Sequence, residues 1–581
     1  MPPACEYKST EGNGAMGRCA ILQCALQAAG VDRRPLAGAR ECGHNTAMQK
    51  SYGAIVIGAG HNGLTAAFYL AKNGIRTCVL ERRDLVGGCA VTEQIDPVNA
   101  PGNRVSTAAY MASMLRPEVI RDMELGRHGL RMIAADPGVQ VAFEDGSVLP
   151  WWHDRQRTHQ ELSRYSRSDA DAFFRLDEEL KVLARYLQPF FLEPPPDTGA
   201  TGLAGLLEIL RVGRRMRGLN GRKISELLSF LSGSLDQLLE RYFESEQVKR
   251  LILANNLYGK HGGPRDPGSA MGLLFHLLSG GEDEKQGFTG HVIGGMGAVT
   301  GAMAAACRER GVEIVTGCEV RRVRVRRGRA DGVVLANGDE LDARVVVSNA
   351  DPKRTFLQLV DAEHLEGGFL RQVRAIAMNG PSAKVNLVLS EAPRISGMPA
   401  GAPPLQRMLY TLVPTFDQAQ ACYNAAQNGE IAHDLWVDCI EASAIDPQLA
   451  APGHHVLTTF VQYVPYRLRE GDWDAQREPF GDRVVQIIGN YAPNVPGAVL
   501  ARDVITPLDL ERRFGITEGN IFHGDIRLDQ LFFMRPVAGW ARYRTPVNGL
   551  YLCGAGTHPG GGVTGAPGYN AARAILGEMR R

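Results

Sequence analysis

The sequence AIVIGAGHNGLTAAFYLAKNGIRTCVLE, residues 54–81, runs strand, glycine-rich turn, helix, strand and terminal acid in unbroken order. Ala54 to Ile57 is wholly apolar, as suits a strand buried on both faces of a parallel sheet. Gly58-Ala59-Gly60-His61-Asn62-Gly63 follows directly and spells GxGxxG. Leu64 to Asn73 reads as a helix ended by Gly74, and Arg76 to Leu80 as a second strand closing on Glu81. Gly58 permits the tight turn, Gly60 lets a pyrophosphate approach the backbone, and Gly63 lets helix and strand pack closely. The helix N-terminus offers free N–H donors and a positive dipole to phosphate. Glu81, at the tip of the second strand, is placed to accept both ribose hydroxyls and to repel a 2′-phosphate. Together these features predict a dinucleotide site that disfavours NADP.

Beyond Glu81 come Arg82, Arg83 and the pair Gly87-Gly88. An acid followed by a Gly pair marks FAD-binding rather than NAD-binding domains, because the pair lets the chain pass along the flavin side of the pyrophosphate. The run IVIGAGHNGLTAAFYLAKNGIRTCVLERRDLVGGCAVTE, residues 55–93, resembles the opening of the phytoene desaturase-like family of FAD oxidoreductases. Three later stretches resemble the same family. His291 to Gly297 matches its central Gly-Gly turn before a helix at 298–310. Residues 312–349 read as strands, and the residue matching Val320 lies beside adenine in the family. Residues 549–576, GLYLCGAGTHPGGGVTGAPGYNAARAIL, resemble the closing flavin motif, in which Gly554 and Gly556 end a strand and Gly562 and Val563 approach the flavin. The helix after Gly568 is expected to aim its N-terminus there. The stretch GNIFHGDIRLDQLFFMRP, residues 519–536, is shared with two branches of the family. These are the desaturase-like carotenoid ketolases and the pyridine nucleotide-disulfide oxidoreductase domain-containing proteins.

The resemblance covers residues 52–581. It implies an α/β fold with a Rossmann-type FAD-binding domain assembled from three segments, 51–135, 288–369 and 515–581. An α+β substrate domain, antiparallel sheet plus helices, is inserted as 136–287 and 370–514. It also implies non-covalent FAD bound by Gly58, Ala59, Gly60, Asn62, Gly63, Glu81, Arg82, Gly87, Gly88, Val320, Gly554, Gly556, Gly562 and Val563. Three features depart from neighbouring families. Gly554-Ala555-Gly556 stands where many flavoproteins carry Gly-Asp. Gly560 to Gly565 also spells GxGxxG, but the chain ends too soon afterwards for a second βαβ unit, so NAD(P) has no site of its own. Cys89 stands alone after the Gly pair, without the partner that disulfide-reductase chemistry needs.

The first insertion reads as mostly helical. Ser168 with Asp171 is placed to cap a helix, on which Phe173, Leu176, Leu180, Leu183 and Leu187 recur near helical spacing. Glu193-Pro194-Pro195-Pro196-Asp197 ends it. Residues 203–243 form a second helical region, rich in Leu and carrying Arg211, Arg214, Arg215, Arg217, Arg222 and Lys223. That cluster is either a face toward anionic lipid headgroups or an ordinary solvated helix face. Lys384–Leu389, Leu435–Ile440 and Val456–Val464 alternate in the strand manner and suit an antiparallel sheet walling a substrate pocket. His454 and His455 adjoin on a strand and point to opposite faces, so no metal is expected.

With 581 residues the chain has ample length for a large core. Lys+Arg number 64 and Asp+Glu 63, a balance that argues against a nucleic-acid binder. Mean hydropathy is −0.16, and no long uninterrupted apolar run is present, so no spanning helix is expected. Gly supplies 67 residues, well above the usual ~7%, as backbone pressed against a large ligand requires. The eleven Cys contain no CxxC and read as free thiols in a reducing compartment. Residues 1–50 read as a poorly ordered leader, with too many acids for a transit peptide and no apolar core for a secretory signal. Met48 stands just before the first strand as an alternative start. The expected location is cytoplasmic with peripheral membrane contact, or mitochondrial in a eukaryote.

Candidate groups on the substrate side come from two stretches. His523, Asp525, Asp529, Gln530 and Arg535 lie in one, His558 and Tyr569 in the other. His523, Asp525 and His558 are the catalytic candidates. Imidazole titrates near neutrality and suits His523 as a proton acceptor, while Arg535 is expected to pair with Asp525 or Asp529. The leading functional reading is hydride transfer between a hydrophobic polyene, isoprenoid or lipid-like substrate and flavin N5, with oxygen or quinone as electron acceptor. The alternatives are a flavin amine oxidase and a non-catalytic FAD-binding protein acting through a protein partner.

Overall fold

The computed structural model of the chain describes residues 39–41, 49–197, 199, 201–256, 262–279, 290–378, 380 and 382–580. Most of the stretch read as a leader lies outside the described residues. In chain order the elements that build the site are Ser51–Ile57 (β1), His61–Lys72 (α1), Thr77–Leu80 (β2), Val139–Ala142 (β3) and Val148–Trp151 (β4). Then come Arg167–Leu187 (α2), Gly202–Arg215 (α3), Gly221–Ser232 (α4) and Met296–Glu309 (α5). Four strands follow, Glu313–Thr316 (β5), Val320–Arg326 (β6), Arg329–Leu335 (β7) and Glu340–Ser348 (β8). Five more strands, Ser382–Leu389 (β9), Leu409–Leu412 (β10), Trp436–Glu441 (β11), His455–Gln462 (β12) and Val499–Ile505 (β13), precede Leu550–Leu552 (β14) and Ala566–Met579 (α6).

Two large sheets organise the molecule. In the first, β5, β2, β1 and β8 lie side by side and parallel. β8 is long enough to serve two partners on its far edge. Its first residues pair antiparallel with β7, through Leu341 and Val333, and its last pair parallel with β14, through Val347 and Tyr551. Strands from near residues 51, 313–348 and 550 thus share one sheet. The helices α1, α5 and α6 pack on it, burying Leu64, Phe68, Val299, Met303, Ala571 and Ile575 in one apolar layer. Full burial on both faces explains why β1 and β2 read as continuous apolar runs.

The second sheet has the order β13-β9-β12-β11-β10-β3-β4 and is antiparallel except where β10 meets β3 at Thr411 and Val141. The hairpin β3–β4 is a departure from the sequence reading, because the first insertion is not merely helical. It lends two strands to the sheet built by the second insertion. Its helices were read nearly correctly. The cap of α2 is Ser166, whose side chain accepts the Asp169 N–H, rather than Ser168 with Asp171. That choice places Asp169 at the third position, where its carboxylate accepts the N–H groups of Glu244 (3.1 Å) and Ser245 (2.7 Å). α2 ends at Leu187, before the proline run. α6 begins at Ala566, so Gly568 lies in its first turn instead of preceding it.

Candidate active site

A continuous cavity opens at the carboxyl ends of β1 and β2 and extends between the two sheets. Glu81, Cys318 and Val320 line one end, Gly58, Gly60 and Asn62 the middle, and Tyr110, Lys384 and Phe460 the other end. This is the place where open α/β sheets bind dinucleotides. Arg82, Gly87, Gly88, Gly562 and Val563 are also in its wall.

The turn after β1 is held by the acid at the tip of β2. Glu81 is buried, and its Oε2 accepts the Ala59 N–H at 2.8 Å while Oε1 accepts the Arg83 N–H at 3.0 Å. Each oxygen keeps a further lone pair for a hydroxyl donor. The N-cap of α1, Gly60, supplies no side-chain acceptor, so the first N–H groups of the helix face the cavity unpaired. A side chain at Gly63 would set Cβ 2.2 Å from the Gly58 carbonyl oxygen, which is why helix and turn close so tightly. Gly87 sits at φ +131° and donates its N–H to Ala59 at 2.9 Å, a conformation natural only to glycine.

Four of the expected cofactor residues stand one layer back from the wall. Ala59 and Gly63 shape the turn. Gly554 and Gly556 pack against Asn349 and Pro352, where a Cβ at Gly556 would lie 2.4 Å from Pro352 Cδ. Ala555, between them, is the residue that lines the cavity.

The catalytic candidates separate. His523 lines the cavity in a left-handed conformation at φ 57°. Burial lowers its basicity, only partly offset by Asp351, and Arg535 lowers it further. Its Nδ1 is buried without a hydrogen-bond partner. His61 lies near it, driven down to about 4 by burial and by His523, and donates Nε2–H to the Gly562 carbonyl at 3.2 Å. Asp525 is turned into its own loop, where Oδ1 accepts Asn520 Nδ2 at 2.7 Å. His558 faces a second, small apolar cavity and donates Nε2–H to the Phe190 carbonyl at 2.8 Å, with its basicity lowered to about 4 by burial.

Arg535 corrects another expectation. It does not clasp the Asp525 or Asp529 carboxylate, since Asp529 pairs with Arg527 at 3.0 Å. Its guanidinium instead donates to the backbone carbonyls of Phe522, Gly524, Asp525, Gln530 and Ala555. It stays charged although burial lowers it to about 10. The residue is a staple joining the 519–536 loop to the Gly554–Gly556 turn.

One functional side chain escaped the sequence reading. Lys384, on β9, is buried in the cavity wall, with Nζ donating to Thr458 Oγ1 at 2.7 Å and lying 4.3 Å from the Tyr110 ring centre. Tyr110 stacks on Phe460 at 5.4 Å and 26°. Burial drives Lys384 down to about 7, with Asp438 and Asp503 opposing the shift, while burial lifts Asp438 to about 7. Its strand, SAKVNLVL, alternates Ser382, Lys384 and Asn386 with apolar residues, so the sequence carried no signal of its burial.

The flavin-containing amine oxidoreductase model matches residues 63–462. The chain belongs to that family. It is 38% identical to pyridine nucleotide-disulfide oxidoreductase domain-containing protein 2 of Mus musculus over 93% of this chain and 96% of that one. It is 25% identical to the lycopene-forming phytoene desaturase of Pseudescherichia vulneris over 90% of this chain and 98% of that one. A solved putrescine oxidase variant shares the fold at TM-score 0.55 and 16% identity, covering 91% of this chain and 99% of that one. The chain is therefore an FAD-dependent oxidoreductase of the phytoene desaturase-like group, and FAD is the cofactor its family implies.

The residues present fit that group. The uncapped α1 N-terminus suits a pyrophosphate, Glu81 suits a ribose, and the buried Oδ1 of Asn62 is an acceptor without a protein donor. Cys89 lines the cavity, but burial pushes its thiol up to about 12, and no disulfide occurs among the described residues. Thiolate chemistry is therefore not available at neutral pH. The second GxGxxG, at 560–565, joins β14 to α6 and places Gly562 and Val563 in this same cavity. Among the described residues no strand follows α6.

Proposed function

We propose that the enzyme oxidises an uncharged lipophilic substrate, of the unsaturated isoprenoid or lipid-like class, beside non-covalently bound FAD. The observation that carries this reading is the make-up of the cavity beyond the nucleotide end. Tyr110, Met111, Met114, Phe275, Phe460 and Phe522 supply apolar and aromatic wall, and the charged side chain among them is Lys384. Of the acids of the described wall, Glu81 and Glu319 lie with Arg82 and Arg354, while Asp351 accepts the Arg354 N–H and also acts on His523. An amine substrate arrives as an ammonium ion and favours a carboxylate or an uncharged aromatic box. Lys384 is a cation only below about pH 7 and repels an ammonium only there, so the lipophilic reading rests on the apolar wall rather than on exclusion of an amine.

FAD held along Gly58, Glu81 and Val320 supplies a two-electron hydride acceptor. The chain's own residues do the rest. Tyr110 and Phe460 orient an extended apolar molecule, and neutral Lys384 Nζ is positioned to take a proton from the substrate. Oxygen or a quinone is the class of electron acceptor that such a cofactor would require. NADH and NADPH are not required, since the described residues form one βαβ dinucleotide site and FAD would occupy it.

The test is anaerobic mixing of the purified protein with isoprenoid hydrocarbons and lipid extracts on one side and primary and secondary amines on the other, following flavin absorbance. Bleaching by a lipophilic fraction with no response to amines is the expected result. Rapid bleaching by an amine overturns the substrate assignment.

A further inference from the structure

α3 is turned inside out. Leu203, Leu206, Leu207, Ile209 and Leu210 are all exposed, Leu203 at 74% and Ile209 at 71%. Glu208 and Arg211 of the same helix are turned toward the protein. Glu208 pairs with Arg211 at 2.9 Å and with Arg542 at 3.1 Å, while Arg211 and Arg215 reach Glu193. An amphipathic helix on a soluble surface normally presents the opposite face to water. α4 also exposes Ile224 and Leu228, while its Leu227 and Phe230 pack inward. Exposed apolar side chains gathered on one helix as in α3 mark a docking site.

The charge around it identifies the partner. Residues 201–232 carry Arg211, Arg214, Arg215, Arg217, Arg222 and Lys223 against Glu208 and Glu226, in a chain whose overall net charge is +1. Arg214 and Arg217 are exposed beside the apolar stripe. An apolar face edged with arginines matches a bilayer surface, where side chains enter the acyl boundary and cations meet anionic headgroups. A second copy of this chain would bring two basic rims together. No described helix is long and apolar enough to cross a membrane.

The patch also leads inward. Leu231, on α4, lines the small apolar cavity that Phe275 shares with the main one. Among the described residues, Phe275 is the side chain common to both walls.

We propose that the exposed apolar face of α3 and α4 docks the enzyme on an anionic bilayer, and that lipophilic substrate reaches the main cavity from there past Leu231 and Phe275. The second clause rests on the proposed substrate class; the docking itself does not. The experiment is sedimentation of the full-length protein with phosphatidylcholine vesicles, with and without phosphatidylserine, at ~0.1 M and ~1 M salt, over which the Debye length falls from about 10 Å to about 3 Å. The wild type should sediment with the anionic vesicles at low salt and lose about tenfold in partitioning at high salt. Arg214→Gln with Arg217→Gln should weaken low-salt binding about fivefold or more. Leu206→Ser, Leu207→Ser and Leu210→Ser together should abolish it, with far-UV circular dichroism and flavin content unchanged because these side chains are already exposed. Absence of wild-type sedimentation, or equal sedimentation of the leucine variant, overturns the proposal. So does a wild-type dimer in light scattering that the leucine variant splits, which would make a second copy the partner. None of these readouts involves turnover, so a failed docking test leaves the oxidoreductase reading standing, and a failed bleaching test leaves the docking reading standing.

Discussion

Glu81 Oε2 accepts the backbone N–H of Ala59 at 2.8 Å, so the acid at the end of β2 grips the glycine-rich turn at the end of β1. One carboxylate therefore shapes the pyrophosphate turn and faces the cavity as a ribose acceptor. Glu81→Ala removes a charged hydrogen bond to FAD worth about 1.5–3 kcal/mol. Its FAD affinity, measured by equilibrium dialysis, should fall roughly tenfold to 150-fold while the fold survives. Unchanged retention would mean that the ribose is held elsewhere.

Lys384 sets the pH dependence. Burial drives its ammonium down to about 7, so the neutral amine prevails above that pH and the cation below it. Turnover of a lipophilic substrate should rise as pH passes upward through about 7 and then level. Lys384→Met should lower the plateau and remove the step while FAD stays bound. A variant that keeps the same step would assign the titration to another group.

Cys89 should be dispensable. A thiol pushed up to about 12 by burial is protonated throughout the physiological range. Cys89→Ser should keep flavin content and leave the rate of flavin reduction within about twofold. Loss of turnover with FAD still bound would restore a thiol mechanism.

Arg535 should matter to stability. It donates to carbonyls on both sides of the His523 loop, and among the described residues no other cation shares those bonds. Arg535→Met leaves buried acceptors unpaired at a cost of about 3 kcal/mol or more. A lower denaturant midpoint, with loss of FAD at lower denaturant than in the wild type, is expected. An unchanged midpoint would contradict the staple.

The nucleotide half of the site was legible in the sequence because each of its parts is local. A turn glycine, a helix start and a strand-end acid constrain one another over some thirty residues, and Gly58, Gly60, Glu81 and Gly87 stand in one wall as a result. The substrate half was not legible, because it is made by pairing between distant strands. Lys384 sits in SAKVNLVL, where alternation assigns it to a wet face, yet every residue of β9 is buried. Only the packing of β12 and β13 on either side, with Tyr110 above, makes it a cavity residue. His558 and Asp525 stand off the main cavity wall for a related reason. Chemistry-bearing types near a flavin motif attract catalytic roles, but the backbone turned one toward Phe190 and the other toward Asn520. For α3, amphipathic periodicity gives no sign of which face is inward; the ion pairs of Glu208 with Arg211 and Arg542 reverse it.

The central claim is that the cavity running from Glu81 to Lys384 holds FAD without a covalent bond. The most direct test is to denature the purified, yellow protein, remove the precipitate and separate the supernatant flavin by chromatography. FAD should appear in the supernatant at about one per chain, with none left on the pellet. A colourless protein that FAD cannot reconstitute, or a flavin that stays with the precipitated chain, would contradict it.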